Sequence, residues 1–309
     1  MRQKFATTLN LTTSFVGDAA TDIINKMFFG AKTIADGNCT IKDDVNKAYF
    51  IRRLASEGLI AAPTCDFTPA GTLTMDERAL AVTPFEVNLQ VCKADFKHVD
   101  WSSVRMGTGG DRNLAQDVVD SVIAEIIGTV GNEIEMSIWR GDTVGATYTL
   151  IDGWWKTMLA DVPAGQQLTP SAVDATTVVA DLGGAYTAAS ALPWFDAPDL
   201  MYWVAPGVAA AYKQALANQG YMDQYQAEDK PLNYIGIPIA VAPGLEANQF
   251  VLSHKSNLYF GTESVSDFNE VFLKDMHDID LSDNVRFAAY SVMGTQIGWP
   301  EEIILHAST

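Results

Sequence analysis

Residues 257–306 read NLYFGTESVSDFNEVFLKDMHDIDLSDNVRFAAYSVMGTQIGWPEEIILH. The segment alternates between β-prone apolar runs and polar bends. Val271, Leu273 and Met276 precede an aspartate-rich turn, and Val285 to Met293 then run largely apolar. Pro300 interrupts the run before a short last strand, Ile303 to Leu305, because proline cannot donate to a ladder. The reading is strand, acidic turn, long strand, turn, short strand.

Working outward, the clearest element lies upstream. From Arg112, apolar residues fall four apart at Leu114, Val118, Val122, Ile126, Val130, Ile134 and Ile138. A second row, Ala115, Val119, Ile123 and Ile127, lies beside the first, so the two make one wide stripe on a helix over 112–140. Asp111 is placed to cap its start and Gly141 to end it. Gly128 and Gly131 weaken its middle or admit a close neighbour there.

Residues 1–35 suggest an extended arm and then a short helix, with Ile23, Ile24, Met27 and Phe28 at helical spacing. Such a face needs either an external partner or its own domain to cover it. Residues 39–92 are rich in strand and turn signals. Residues 47–54 suit helix or strand, and Phe85, Val87, Leu89 and Val91 alternate on one face. With little core of its own, this segment reads as a projecting hairpin. Residues 151–270 read as α/β: a strand over 199–205, a helix opened by Pro206, and short strands at 235–241 and 249–252. Trp139, Trp154 and Trp155 read as packing anchors under the end of the long helix.

The chain has 309 residues, 48% hydrophobic and 10% aromatic, enough for an ordered core and two lobes. The net charge of −18 is uneven. Residues 1–60 carry 8 Lys/Arg against 6 Asp/Glu, and the rest carry 12 against 32. That balance excludes binding nucleic acid by broad phosphate neutralisation. It does not exclude enclosing it. No apolar run approaches the ~20 residues of a membrane span, and the N-terminus lacks the apolar core of a signal peptide. Cys39, Cys65 and Cys92 are far apart and form no CxxC, which supports neither a disulfide framework nor a zinc site and makes reduced cytoplasmic synthesis the default.

No catalytic or metal constellation emerges. Gly107 to Asp111 forms a glycine-rich loop before a helix, but it lacks the Lys-Ser/Thr of a phosphate loop. His98, His254, His277 and His306 are scattered. Asp275, Asp278, Asp280 and Asp283 begin like a calcium loop but lack the central Gly and terminal Glu. No cofactor is expected.

The order of these pieces resembles the HK97-like fold of tailed-phage major capsid proteins, over nearly the whole length. The residues that carry the resemblance are Phe67 to Gly71, Glu86 to Cys92, Trp139 to Asp142, and Asn257 to Glu302. The implied class is α+β. The resemblance implies an N-terminal arm over 1–38, an extended loop over 39–92, and a peripheral domain over 93–150 holding the spine helix. An axial domain would span 151–270, and C-terminal strands over 271–309 would return to the peripheral sheet. It implies hexamers and pentamers of this chain closing an icosahedral shell around double-stranded DNA in a virion, with a portal and a separate scaffold protein as partners, and no membrane. Ile23, Ile24, Met27, Phe28, Phe67, Arg78, Phe85, Val87 and Leu89 are the expected inter-subunit residues, and loss of residues 1–30 is expected to leave a soluble chain unable to close shells. Lys47 lies in the loop, but nothing assigns it crosslinking chemistry. An encapsulin-like compartment and a soluble α/β enzyme are the alternatives.

Overall fold

The structure, a computed structural model, describes residues 12–15, 18–60, 62, 65, 69–92, 116–196, 198–219, 232–263, 270–282 and 284–307. In chain order the strands are β1 (Thr12–Phe15), β2 (Thr40–Lys42), β3 (Ala48–Glu57), β4 (Thr72–Ala81), β5 (Thr83–Cys92), β6 (Gln167–Leu168), β7 (Leu200–Val204), β8 (Asn233–Tyr234), β9 (Ile237–Val241), β10 (Phe250–His254), β11 (Leu258–Thr262), β12 (Glu270–Asp275), β13 (Asn284–Ile297) and β14 (Ile303–His306). The helices are α1 (Asp18–Gly30), α2 (Lys32–Ala35), α3 (Gln116–Arg140), α4 (Trp154–Asp161), α5 (Val178–Ser190), α6 (Pro206–Asn218) and α7 (His277–Asp280).

Two sheets organise the chain. The first runs β1-β12-β13-β11-β2, with β5 also paired to β13. Its centre is β13, whose 14 residues are long enough to hold β12 against one stretch and β11 against the next. Val285, Phe287 and Ala289 point to the buried side of this sheet and Arg286 and Tyr290 to the other, the period of two that a one-sided core imposes. Helices α1 and α3 cover the buried side, with the Phe28 ring edge-on to both Phe85 and Phe260.

The second sheet runs β6-β14-β10-β7-β9-β8, with α5 and α6 packed on it. Strands β7, β10 and β14 are buried at every position, so their apolar residues do not alternate. Its last hairpin turns at Ile235 and Gly236, both at positive φ, so the strand expected from 235 begins at Ile237.

The C-terminal strands divide between the sheets, which corrects the expectation that all of them return to the peripheral one. Strands β12 and β13 join the first sheet, but β14 inserts between β6 and β10 of the second. The connection from β10 to β11 and that from β13 to β14 therefore pass side by side between the sheets. Asn257 pins them together: its side chain donates to the Trp299 carbonyl at 2.8 Å and accepts from the Trp299 N–H at 2.6 Å.

The long helix follows the expected stripe, with Ile126, Val130, Ile134 and Ile138 buried. At ~1.5 Å per residue its 25 described residues span roughly 37 Å. Leu114 lies outside the described residues, as do the 107–111 loop and Asp111, and of Val118 and Val122 only the backbone is described. Gly131 meets Gly30 of α1 so closely that a Cβ would sit 2.6 Å from the Gly30 Cα. Gly128, one turn away, faces open space.

The two glycines should therefore respond with opposite signs. Gly131→Ala forces the helices apart and is expected to cost about 1–3 kcal/mol. Gly128→Ala replaces a poor helix former where nothing obstructs the methyl group and should stabilise by up to ~1 kcal/mol. Urea unfolding of the two variants checks this, and two shifts of the same sign would contradict it.

Candidate assembly surfaces

The surfaces that distinguish this chain are a hairpin that leaves the body and a groove between α3 and β5. Strands β3 and β4 pair over ten residues each, from Ala48 opposite Ala81 to Glu57 opposite Thr72. They form a separate two-stranded sheet. Residues opposite one another share a face, so the register divides the hairpin into two chemically different sides.

The inner side is docked on the chain's own body at its root. Ile51 and Leu80 are buried there. The Arg53 guanidinium lies 4.9 Å from the Trp299 ring centre and pairs with Glu302 at 2.6 Å. Arg78 pairs with Asp161 and donates to the Ile297 carbonyl at 3.4 Å. Arg78, expected at an inter-subunit contact, is thus engaged within its own chain. The outer side carries Phe50, Leu54, Leu73 and Met75, all exposed; Leu54 keeps 66% and Leu73 70% of its surface in solvent. Near the turn Leu59 is exposed, and Ile60 is 99% exposed. The neck of the turn is made by Gly58 and Gly71 at positive φ, and a Cβ on Gly71 would run into the Glu57 carbonyl. The outer side is thus an aligned apolar face interrupted by the Arg52–Glu77 ion pair at 2.7 Å, and whereas scattered apolar residues are common on surfaces an aligned face is not.

The groove has a volume of about 410 Å³. Phe85, Val87, Val130, Ile134 and Met293 make its apolar walls. Tyr148 stands at its lip with φ of 53°, a left-handed conformation that an aromatic residue adopts only at a cost. Glu86 and Glu133 are its acidic residues.

The other expected inter-subunit residues distribute unevenly. Ile24, Met27 and Phe28 are buried in the chain's own core, and Ile23 packs against it, because α3 crosses directly over this face of α1. The own-domain alternative is the one observed. Deleting residues 1–30 would remove core, so unfolding replaces the expected soluble chain. Phe85 and Val87 are half-buried in the groove wall, whereas Leu89 is exposed on β5. Phe67 lies outside the described residues.

Sequence reasoning missed a buried junction. The Glu135 carboxylate on α3, only 2% exposed, accepts from the Thr33 N–H at 2.9 Å and the Thr33 hydroxyl at 2.6 Å. The Trp139 indole donates to the same Thr33 oxygen at 2.9 Å, and the Gly244 N–H also bonds Glu135. Arg140 donates to the Gly244 and Leu245 carbonyls at 2.6 and 2.8 Å. Three segments distant in sequence meet here, and the signal was only an acidic residue on an otherwise apolar face.

Burial pushes the Glu135 carboxyl above the ordinary 4.5, and the Thr33, Gly244 and Trp139 hydrogen bonds oppose it. The adjacent Cys39 thiol is pushed up to about 12, mainly by burial. A folded state that holds the Glu135 proton more tightly than the unfolded chain loses stability as pH rises through the folded value. Glu135→Gln has no proton to lose. Its stability relative to the parent should rise with pH, starting at the ordinary carboxylate range of about 4 and continuing upward. Urea midpoints across that window check it, and a difference independent of pH would refute it.

Among the described residues no group of three or more His, Cys, Asp or Glu is placed to hold a metal ion. Buried His254 pairs with Asp199 at 3.1 Å, and buried His306 stacks on Phe250 at 4.6 Å. No helix among the described residues is long and apolar enough to cross a membrane.

No family model matches the chain, and no curated protein matches it. Solved structures do. The capsid of a native GTA particle matches with a TM-score of 0.59 at 12% identity, covering 100% of this chain and 95% of that one. The procapsid of satellite phage P4 matches with a TM-score of 0.58 at 12% identity, covering 92% and 97%. A virus-like particle from Pyrococcus furiosus matches with a TM-score of 0.52 at 12% identity, covering 92% and 96%. These neighbours are capsid and virus-like-particle structures, and the correspondence is nearly end to end in both directions: the chain has the HK97-like fold of phage major capsid proteins.

Proposed function

We propose that this chain is the structural subunit of an icosahedral phage capsid, assembling as hexamers and pentamers around double-stranded DNA. The observation that carries the reading is the hairpin, braced on one side and apolar on the other, on a fold whose solved neighbours are capsids. The extended hairpin is the loop that overlaps a neighbouring subunit, and its outer face is the surface that overlap buries. Extended elements bury more area per residue than compact contacts, and a shell needs interfaces well above ~1,000 Å². The negative charge suits a wall that encloses nucleic acid without gripping it, and keeps unassembled subunits apart. Scaffold and portal proteins complete the set of partners, and the shell is built in the host cytoplasm.

The likeness to a virus-like particle from Pyrococcus furiosus supports a second reading, an encapsulin-like compartment for protein cargo. Negative-stain microscopy of the expressed chain, with and without a scaffold protein from the same genome, tests the shell. Closed particles, five- or six-membered rings or tubes of rings support it, and a monomer under every condition refutes it. Nucleic acid or protein extracted from native particles then separates the two readings.

A further inference from the structure

Strand β5, one wall of the groove, has an open edge, and the hydrogen bonding shows which residues face it. The Met276 N–H donates to the Asn284 carbonyl at 2.9 Å, so Asn284 directs its main chain towards the β12 side. Main-chain groups alternate sides along a strand, so Val285, Phe287, Ala289, Ser291 and Met293 of β13 face β5. Their partners in register are Val91, Leu89, Val87, Phe85 and Thr83. Glu86, Asn88 and Gln90 therefore turn their N–H and C=O groups the other way, to an edge that no strand among the described residues pairs with. Pro84 belongs to the same set, and a proline, which has no N–H to give, is tolerated in a strand at such a position.

The groove opens onto that edge. Successive residues of β5 point to opposite faces, yet Pro84 and Glu86 line the groove together with Phe85 and Val87. Val130 and Ile134 of α3 supply the far wall. The charged residues that line it are Glu86 and Glu133, both acidic and both exposed. A ligand that matches these features has an extended backbone to pair with the edge, apolar side chains on alternate residues to enter the trough, and cationic side chains between them. A second copy's hairpin is a poor match. Its Arg52, Arg53 and Arg78 are already paired with carboxylates, and a copy with a net charge of −18 approaches against repulsion.

We propose that the groove and the β5 edge form a docking site for a separate polypeptide, which adds as a strand beside β5 through an extended segment of alternating apolar and basic residues. In the shell reading this polypeptide is an assembly partner, and the inference rests on that reading for the partner's role alone. Main-chain pairing supplies affinity, and the trough and the two carboxylates select the sequence.

The probe is the peptide acetyl-KVKFKVK-amide, added to the full chain while it is unassembled. It should bind, and hydrogen exchange at the Glu86, Asn88 and Gln90 amides, fast in the chain alone, should slow about tenfold. Glu86→Lys with Glu133→Lys should weaken binding about tenfold in fluorescence anisotropy, and acetyl-EVEFEVE-amide should not bind the parent. Asn88→Pro removes an outward N–H without touching the ladder to β13, so it should weaken binding by a similar factor while melting with the parent. Methylating the peptide's backbone nitrogens at its lysines or, separately, at its valines and phenylalanine makes the same test without altering the protein, and one of the two methylated peptides should lose binding. No binding of the basic peptide, unchanged binding to the charge-reversed variant, or equal binding of the two methylated peptides overturns the proposal. Amides already slow in the chain alone mean that a segment of this chain covers the edge, and protection that appears on assembly without peptide means that a second copy does. Either result overturns it too. All of these outcomes leave the shell reading standing, whereas a chain that binds the peptide and never forms particles fails that reading alone.

Discussion

Phe50→Asp with Leu73→Asp should leave the subunit folded and abolish closed particles. Both side chains sit on the outer face of the hairpin, well apart along it, with their surfaces in solvent. Neither substitution removes core, so the unassembled chain should keep its stability to within about 0.5 kcal/mol. In a shell each aspartate would be carried into an apolar contact without a partner, at a cost of several kcal/mol per site. That penalty recurs at every subunit, so assembly fails cooperatively and particle counts should fall below detection. Phe50→Ala with Leu73→Ala, which removes area without adding charge, should weaken assembly more mildly. Microscopy and sedimentation of the two double variants read the result. Normal particles from the aspartate variant would show that the outer face is not buried between subunits.

Trp139→Ala should have the largest effect on the subunit itself. Trp139 is fully buried and stacks edge-on with Trp154 at 5.1 Å. Its indole N–H completes the Thr33–Glu135 network, and the Gly244 backbone packs against its ring so closely that no Cβ would fit there. Truncating a buried tryptophan costs about 3–5 kcal/mol. That is a large share of the roughly 5–15 kcal/mol that holds a domain folded. The variant also leaves Thr33 without its donor, which adds to the loss. The melting temperature should fall on the order of 10 °C. Trp139→Phe, which keeps most of the volume but not the N–H, should fall between the parent and Trp139→Ala in calorimetry. Equal melting of parent and Trp139→Ala would exclude Trp139 as the keystone of this junction.

The long helix was legible because its apolar residues recur four apart through Ile126, Val130, Ile134 and Ile138 beside an adjacent row through Ile123 and Ile127, a stripe that a strand's period of two does not give. The strands from Val271 onward were legible as β-prone, largely apolar runs bounded by polar turns. What covers a face is harder to read. The stripe of Ile24, Met27 and Phe28 declares an amphipathic helix, but its partner is decided by Gly30 meeting Gly131, a hundred residues away. The sheet that β14 joins was misread, although the sign was present. Ile303 to Leu305 is an uninterrupted apolar run, suited to a strand covered on both faces as in the second sheet, while the first part of β13 alternates. The groove could not be foreseen, because nothing local marks Tyr148 for positive φ. A projecting hairpin was expected over all of 39–92, but β2 and β5 join the first sheet and only β3 and β4 form the separate pair; its division into a docked and an open side depends on register, which pairs Ile51 with Arg78 on one face and Leu54 with Met75 on the other.

The paired crossing at Asn257 has a mechanical consequence. A single covalent connection between two sheets would act as a swivel, free to turn about several axes. Two connections side by side, clamped to each other by the Asn257 amide and by the Gly298 N–H bonding the Asn257 carbonyl at 2.8 Å, resist that turning. Gly298 is part of the clamp, since a Cβ there would sit 2.6 Å from the Asn257 side-chain oxygen. If the chain builds a shell, tension between its two sheets would pass through this clamped pair as well as through the third connection, from β5 by way of α3 to β6.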